Sequence, residues 1–150
     1  NIPLKVKERE LANSYGSLFS QLTVVYKGEE KTLSQLSVYL KDPDRKVREE
    51  VWNLRMKKIA EKEKEFNRLF DEMKQLRIQQ AKNAGFDNYR DYAHREKGRF
   101  AYTPADLLEF HNSVEKVVIP FLKELTEERR QKLGIDSVRP WDTSVELEGK

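Results

Sequence analysis

The chain has 150 residues, 37% of them charged and 37% hydrophobic, and its net charge is only +3 because 29 basic residues nearly balance 26 acidic ones. Interleaved charges of opposite sign make no strong field, so the composition does not favour a nucleic-acid binder. The absence of cysteine excludes disulfides and thiolate chemistry, and no apolar run approaches the roughly 20 residues that span a membrane.

The first predicted elements are a helix over 6–15, which Gly16 ends, and a β-hairpin over about 22–32. Residues 22–26 are rich in β-branched and aromatic side chains, and Gly28 supplies a turn after them. A two-stranded hairpin is marginally stable in isolation. We therefore expect this hairpin to pack against a neighbouring element.

A short helix is predicted directly after the hairpin. Thr32 and Gln35 have the spacing of a capping box, in which each side chain bonds the other residue's backbone N–H. Leu33, Leu36 and Leu40 then fall on one face of the helix. This face is a candidate part of the core.

One long helix is predicted over about 44–84, because neither glycine nor proline occurs between Pro43 and Gly85. Such a helix would measure roughly 60 Å. Asp42 is the expected cap, and Asp44 is placed to pair with Arg48 one turn later. Its apolar residues form one stripe, thinned around 62–65: Val47, Val51, Trp52, Met56, Ile59, Phe66, Leu69, Phe70, Met73 and Leu76.

Two further helices follow Gly85, whose freedom to adopt a positive φ makes it a helix stop. Asp87 is predicted to cap a short helix that ends near Gly98. Thr103 is predicted to cap a last helix over about 104–133.

Proline interrupts the pattern of this last helix and also follows it. Pro120 should kink the helix, because its ring removes one hydrogen bond. Residues 139–142 are predicted to be extended. The resulting fold class is mainly α, an elongated helical segment with one long helix, one kinked helix and a small hairpin.

No complete catalytic or metal-binding set is found in the sequence. The only histidines, His94 and His111, lie on different predicted helices, and neither has a second histidine at i+4. The scattered glycines form no phosphate-binding loop, and no serine lies in a nucleophile-elbow sequence. We therefore predict no catalytic, cofactor-binding or metal-ligating residue, and we expect both histidines to be structural.

Aromatic residues cluster with arginines between Phe86 and Phe110. Such a cluster could stack nucleobases or line a peptide groove. The interpretation we prefer is a corner between two helices that packs in the core.

The order of the short motifs is more specific than any one of them. They are Gly28-Glu29-Glu30, Thr32-Leu33, Asp44-Arg45 with Arg48, Glu65-Phe66-Asn67-Arg68-Leu69-Phe70-Asp71 with Arg77, Ala84-Gly85-Phe86, Asn88-Tyr89, Tyr102-Thr103, Asp106, Phe110, Val114-Glu115, Val118-Ile119-Pro120, Leu133-Gly134 and Arg139-Pro140-Trp141-Asp142. From about residue 11 to 142, this series resembles the oligoendopeptidase F family of thimet-oligopeptidase-like metallopeptidases, in the region upstream of the zinc site.

The resemblance implies a cytoplasmic zinc endopeptidase that cleaves short peptides in a deep channel between mostly helical halves. In that family two histidines of a His-Glu-x-x-His helix and a downstream glutamate hold the zinc, and the glutamate of the motif activates the bound water. The motif is absent from this sequence. Zinc is thus expected in the parent enzyme and not in this segment.

On this interpretation, residues 1–150 are one helical segment of a larger metallopeptidase, without its N-terminal helical part and its catalytic half. The segment alone is expected to be inactive, to form part of the scaffold and substrate channel, and to have the remaining domains and short peptides as partners. The alternative is a helical protein-interaction module without enzymatic activity. Neither nucleic acid nor membrane is an expected partner.

Overall fold

The computed structural model describes residues 1–147, and over that range it contains six α-helices and one antiparallel hairpin. The helices are α1 (Ile2–Ser20), α2 (Leu33–Leu36), α3 (Arg45–Ala60), α4 (Glu63–Asn83), α5 (Tyr89–Glu96) and α6 (Pro104–Leu133), the strands are β1 (Thr23–Tyr26) and β2 (Glu29–Thr32), and 3₁₀ turns cover Ser37–Lys41 and Pro140–Asp142. The predicted mainly α class with one small hairpin is confirmed. Among residues 1–147, no helix combines the length and the hydropathy that a membrane-spanning segment requires.

The chain divides into two compact units. The first unit comprises Asn1–Tyr15 and Phe66–Leu122, and the second comprises Gly16–Glu65 and the described residues from Lys123 onward. Helices α1, α4 and α6 each contribute residues to both units. Each unit has buried apolar side chains of its own.

The second unit is built around the hairpin and the short leucine helix. Strand β1 pairs with β2 from Thr23 opposite Thr32 to Tyr26 opposite Glu29, and both turn residues have positive φ. The predicted capping box is confirmed, since the Gln35 N–H donates to the Thr32 hydroxyl and the Thr32 N–H donates to the Gln35 side chain. The buried apolar side chains here include Leu22, Tyr26, Leu33, Leu36, Leu40 and Val51.

The first unit joins α1 to α4 and α5 through polar contacts as well as a core. Arg77 Nε donates to Glu8 Oε1 at 2.6 Å, and Gln80 Nε2 donates to Glu8 Oε2 at 2.7 Å. Lys5 forms an ion pair with Glu96. The buried apolar side chains of this unit are Phe66, Leu69, Met73, Ala81 and Tyr92.

The predicted helix ends at Gly85 and Gly98 are confirmed. Both glycines have positive φ, 77° and 66°. After α4, the Gly85 N–H donates to the Lys82 carbonyl and the Phe86 N–H donates to the Ala81 carbonyl, which is the Schellman arrangement. The cap of α6 is also confirmed, with Thr103 and Asp106 bonded to each other's backbone N–H.

The run from 44 to 84 is helical except at one short break. Residues 61 and 62 separate α3 from α4, and the Lys62 N–H donates to the Ile59 carbonyl three residues earlier. No apolar side chain lies between Ala60 and Phe66, so no core packing holds a continuous helix together there. The prediction of one uninterrupted helix was wrong at this point.

Several predicted helix boundaries were displaced. Helix α1 continues through Gly16 to Ser20, because a glycine inside a helix costs only about 1 kcal/mol unless its backbone turns left-handed. Asp44, not Asp42, caps α3, and Asn88, not Asp87, caps α5.

The two proline-based predictions had different outcomes. Residues 139–142 were predicted to be extended, but Pro140–Asp142 form a 3₁₀ turn, because the Asp142 N–H donates to the Arg139 carbonyl at 2.8 Å. Helix α6 continues through Pro120. The kink at Pro120 stays a prediction.

Candidate functional site

A buried carboxylate and two arginines form the most completely bonded polar group of the second unit. We call Asp142, Arg45 and Arg48 the Asp142 cluster. Arg48 Nη2 lies 2.9 Å from Asp142 Oδ1, and Arg45 Nη2 lies 2.9 Å from Asp142 Oδ2. The Asp142 side chain is 0% exposed and that of Arg48 is 2% exposed. The cluster thus joins the first turns of α3 to the 3₁₀ turn near the end of the described chain.

Backbone groups complete the bonding of this cluster. The Arg139 N–H donates to Asp142 Oδ2 at 2.9 Å. Arg48 donates to the carbonyl oxygens of Trp141, Asp42 and Pro43 at 3.1, 2.8 and 3.0 Å. These contacts pair the charges. They also hold the backbone segment that precedes α3 and the segment that follows α6.

Arg129 adds a further tie from α6. Its Nη1 donates to the backbone carbonyls of Asp142 at 3.1 Å and of Val145 at 2.8 Å. Val145 is itself buried. The segment after α6 is therefore held on both sides, by α3 through side chains and by α6 through Arg129.

The surroundings of Asp142 strongly favour its charged form. Burial on its own raises the pKa of this carboxyl, but hydrogen bonds from Arg45, the Arg139 backbone and Arg48 outweigh it and lower the pKa to about 2. The carboxylate in turn raises the pKa of Arg45. The group is an ion pair at neutral pH and has no protonation state to exchange there, so it suits a structural role and not acid–base chemistry.

Acid is expected to weaken the second unit through Asp142. Its folded pKa of about 2 lies below the ordinary value of 3.8, so the unfolded chain takes up the proton first as the pH falls. The stabilisation, about 2 kcal/mol, is present above about pH 4 and is lost as the pH approaches 2. A carbon-13 NMR titration of the Asp142 carboxyl measures this, and a pKa at or above 3.8 would contradict it.

This cluster was missed in the sequence. Asp44 was expected to pair with Arg48, but the Asp44 carboxylate accepts from the Lys46 N–H and Arg48 pairs with Asp142 instead. The only signal available was that the motif order contains Asp44-Arg45, Arg48 and Trp141-Asp142. Nothing in that order says that the two ends meet.

The two histidines have different surroundings. His94 is 9% exposed, and its Nε2 lies 2.7 Å from the Tyr102 carbonyl oxygen. Because a carbonyl can only accept, that ring nitrogen carries the hydrogen and donates it. His111 is exposed on α6. His94 is thus a buried hydrogen-bonding group, as its structural interpretation expects.

The aromatic cluster between Phe86 and Phe110 is divided between core and surface. The rings of Phe86 and Tyr89 lie 5.8 and 5.9 Å from that of the buried Tyr92. Phe100 and Phe110 are exposed, so the core-packing interpretation holds for only part of the cluster.

An open groove of about 480 Å³ lies beside the exposed ring of Phe100, whose centroid is 4.6 Å from Arg95 Cζ. Its chemistry is mixed, since Asp91 and His94 line it together with arginines and aromatic rings. Arg90, which also lines the groove, is already paired with Asp91 at 2.8 Å. The groove therefore singles out no ligand class.

Metal ligation is not supported by the donor groups of residues 1–147. Within that range no three His, Cys, Asp or Glu side chains lie close enough together to hold a metal ion. The prediction that this chain contains no catalytic or metal-ligating residue is a statement about function and stays a prediction.

Solved structures of other proteins share the fold of this chain. The chain matches solved structures described as an oligoendopeptidase F from Bacillus anthracis (26% identity, TM-score 0.87), a second oligoendopeptidase F (28%, 0.89) and PZ peptidase A with an inhibitor (28%, 0.88). These matches cover 93%, 93% and 92% of this chain but only 26%, 25% and 25% of theirs. None of the curated proteins compared with the chain matches it significantly in sequence.

The sequence itself also matches a family. The model of peptidase family M3 aligns with residues 38–148, nearly three quarters of the chain. The aligned range includes all three residues of the Asp142 cluster. The resemblance to oligoendopeptidase F is confirmed, and the chain belongs to peptidase family M3.

Proposed function

We propose that these 150 residues form a helical scaffold and substrate-channel part of a cytoplasmic, zinc-dependent oligoendopeptidase that hydrolyses short peptides. The observation that carries the proposal is the match of nearly the whole chain, at TM-scores of 0.87–0.89, to about a quarter of each oligoendopeptidase F or PZ peptidase chain. On this proposal residues 1–150 are one part of a larger enzyme. Its partners are the remaining domains and the peptide substrate.

Zinc is assigned by this proposal to the rest of the enzyme. Two separated histidines and solvated carboxylates do not make a zinc site, and no candidate ligand cluster exists among residues 1–147. The contribution of this chain is therefore mechanical. It holds helices in place and carries neither the metal nor the group that activates water.

The Asp142 cluster is the part of the chain best suited to this mechanical role. Charged groups that are buried and fully hydrogen-bonded strongly disfavour rearrangement, because opening one partner leaves the other charge without compensation. Arg45, Arg48 and Arg129 hold the segment that follows α6. We propose that this segment is the connection toward the catalytic part, and that the cluster fixes its direction.

A peptidase assay tests the proposal. The isolated 150 residues and the full polypeptide that contains them are each incubated with a quenched fluorescent peptide, with and without added zinc or a chelator. We expect zinc-dependent cleavage by the full polypeptide and none by the isolated segment. Zinc-dependent cleavage by the segment, or none by the full polypeptide loaded with zinc, would contradict the proposal.

The alternative of a protein-interaction module is favoured by one observation, the exposed apolar residues of α6. It makes a different prediction for the same assay. A full polypeptide that binds other proteins but never cleaves a peptide would favour the module over the peptidase.

A further inference from the structure

Helix α6 has a continuous apolar face within the first unit. Residues 110, 114, 117, 118 and 121 follow the i, i+4, i+7, i+8, i+11 spacing, and at 100° per residue they fall within an arc of roughly 100°. They are Phe110, Val114, Val117, Val118 and Phe121, which we call the α6 face. The opposite side of the same stretch carries Glu109, Asn112 and Lys116, and also Ile119.

Residues 1–147 leave four of the five residues of this face exposed, and Val114 is half-buried. None of the 30 residues of α6 is buried, whereas the 21-residue helix α4 buries five. Val117 is 70% exposed, Phe110 62% and Phe121 56%. Large contiguous apolar patches are uncommon on monomeric proteins and mark surfaces that contact something else.

We propose that the α6 face is the docking surface for the remaining part of the same peptidase chain, which would cover it with an apolar helix face. This inference rests on the proposed function. In the three solved relatives the matching segment belongs to a single chain about four times as long, so about three quarters of the polypeptide is available to cover it.

The chemistry of the face agrees with such an occupant. Its five residues carry no charge, so a partner surface of aliphatic and aromatic side chains matches it and a charged partner does not. The four-residue steps form the ridge that packs into the groove of a second helix. A segment linked to α6 through the chain also has a high effective concentration, which favours it over a second copy of the molecule.

Cysteine labelling tests the proposal, because the chain contains no cysteine of its own. Val117→Cys places a thiol on the α6 face, and Asn112→Cys places the matched control on the exposed polar side of the same helix. Each variant is labelled with a maleimide in the isolated 150 residues and in the full polypeptide. Mass spectrometry of tryptic peptides locates the label, since Lys116 and Lys123 bound the peptide that contains position 117.

We expect Cys at position 117 to react at least about tenfold more slowly in the full polypeptide than in the isolated segment. In the full polypeptide the thiol is accessible only when the segment that covers it opens locally. The control at position 112 should react at similar rates in both. Equal labelling of the two positions in a monomeric full polypeptide would overturn the proposal. Protection that appears in the isolated segment and rises with its concentration, together with dimers in sedimentation, would overturn it in favour of a second copy.

The two proposals can fail separately. Protection at position 117 in a polypeptide that cleaves no peptide would overturn the proposed function and leave the docking surface standing. Full labelling at position 117 in an active zinc peptidase would overturn the docking surface and leave the proposed function standing.

Discussion

Replacing Asp142 with asparagine is expected to destabilise the second unit by about 3–5 kcal/mol, the usual cost of breaking a buried ion pair from one side. The substitution hardly changes the size of the side chain, but it removes the charge that compensates Arg48, which is 2% exposed. It also weakens the hydrogen bonds from Arg45 and from the Arg139 backbone. Urea unfolding followed by tryptophan fluorescence measures the change.

Tryptophan fluorescence reports on the second unit, which contains Asp142. Both tryptophans, Trp52 and Trp141, belong to the second unit. The matched control is Asp136→Asn, which makes the same substitution at an exposed position of that unit. We expect the control to change the free energy of unfolding by no more than about 0.5 kcal/mol. Equal effects of the two substitutions would show that the buried charge contributes nothing.

A double-mutant cycle separates the ion pair from the general effect of a buried substitution. Arg48→Met keeps much of the side-chain volume and removes the charge. If the charges interact as their 2.9 Å contact indicates, the double variant should lose less stability than the sum of the two single variants. Strict additivity would mean that each residue acts through its backbone contacts alone.

The features predicted correctly from the sequence depend on short-range chemistry. The Thr32–Gln35 box, the stop at Gly85 and the Thr103 cap each lie within a few residues, and local backbone geometry decides them. The boundaries that moved involve close competitors, such as Asp42 against Asp44 for the cap of α3. Either aspartate satisfies the general rule. In the structure Asp42 accepts from the Asp44 N–H, before the helix, whereas Asp44 accepts from the Lys46 N–H in the first turn of α3.

The Asp142 cluster could not be predicted in this way. Arg48 and Asp142 are 94 residues apart in the sequence, and no periodicity or spacing rule reaches that far. Which of the many carboxylates pairs with which arginine depends on how α3 and the segment after α6 pack. The motif order identified the family without the geometry, because it matches a whole series and not a particular contact.

The aromatic residues near α5 show the same limit at shorter range. Tyr92 and Phe100 are both aromatic residues near arginines, yet one is buried and the other is 68% exposed. Tyr92 packs against the rings of Phe86 and Tyr89, whereas Phe100 follows the turn at Gly98. Composition predicts an aromatic cluster there, but only the backbone path assigns each ring to core or surface.

Leu36→Ala is the second substitution with a large expected effect, a loss of about 2–5 kcal/mol in the free energy of unfolding. Leu36 is 0% exposed in the short helix α2, which contacts β2 and α3. Truncation removes apolar contacts and leaves a cavity. A two-stranded hairpin and a four-residue helix offer few other side chains that could fill it. The loss is measured by urea unfolding with tryptophan fluorescence, as for Asp142.

The control for Leu36→Ala is Val38→Ala, two residues later and 69% exposed. Because Val38 lies largely in solvent, its truncation should cost no more than about 0.5 kcal/mol. If Leu36→Ala were equally mild, the hairpin and α2 would not depend on a shared core. The hairpin would then have to be held by the strand ladder alone, which two strands rarely achieve. A large loss at Leu36 with little change at Val38 would instead show that α2 is the apolar support on which the hairpin folds.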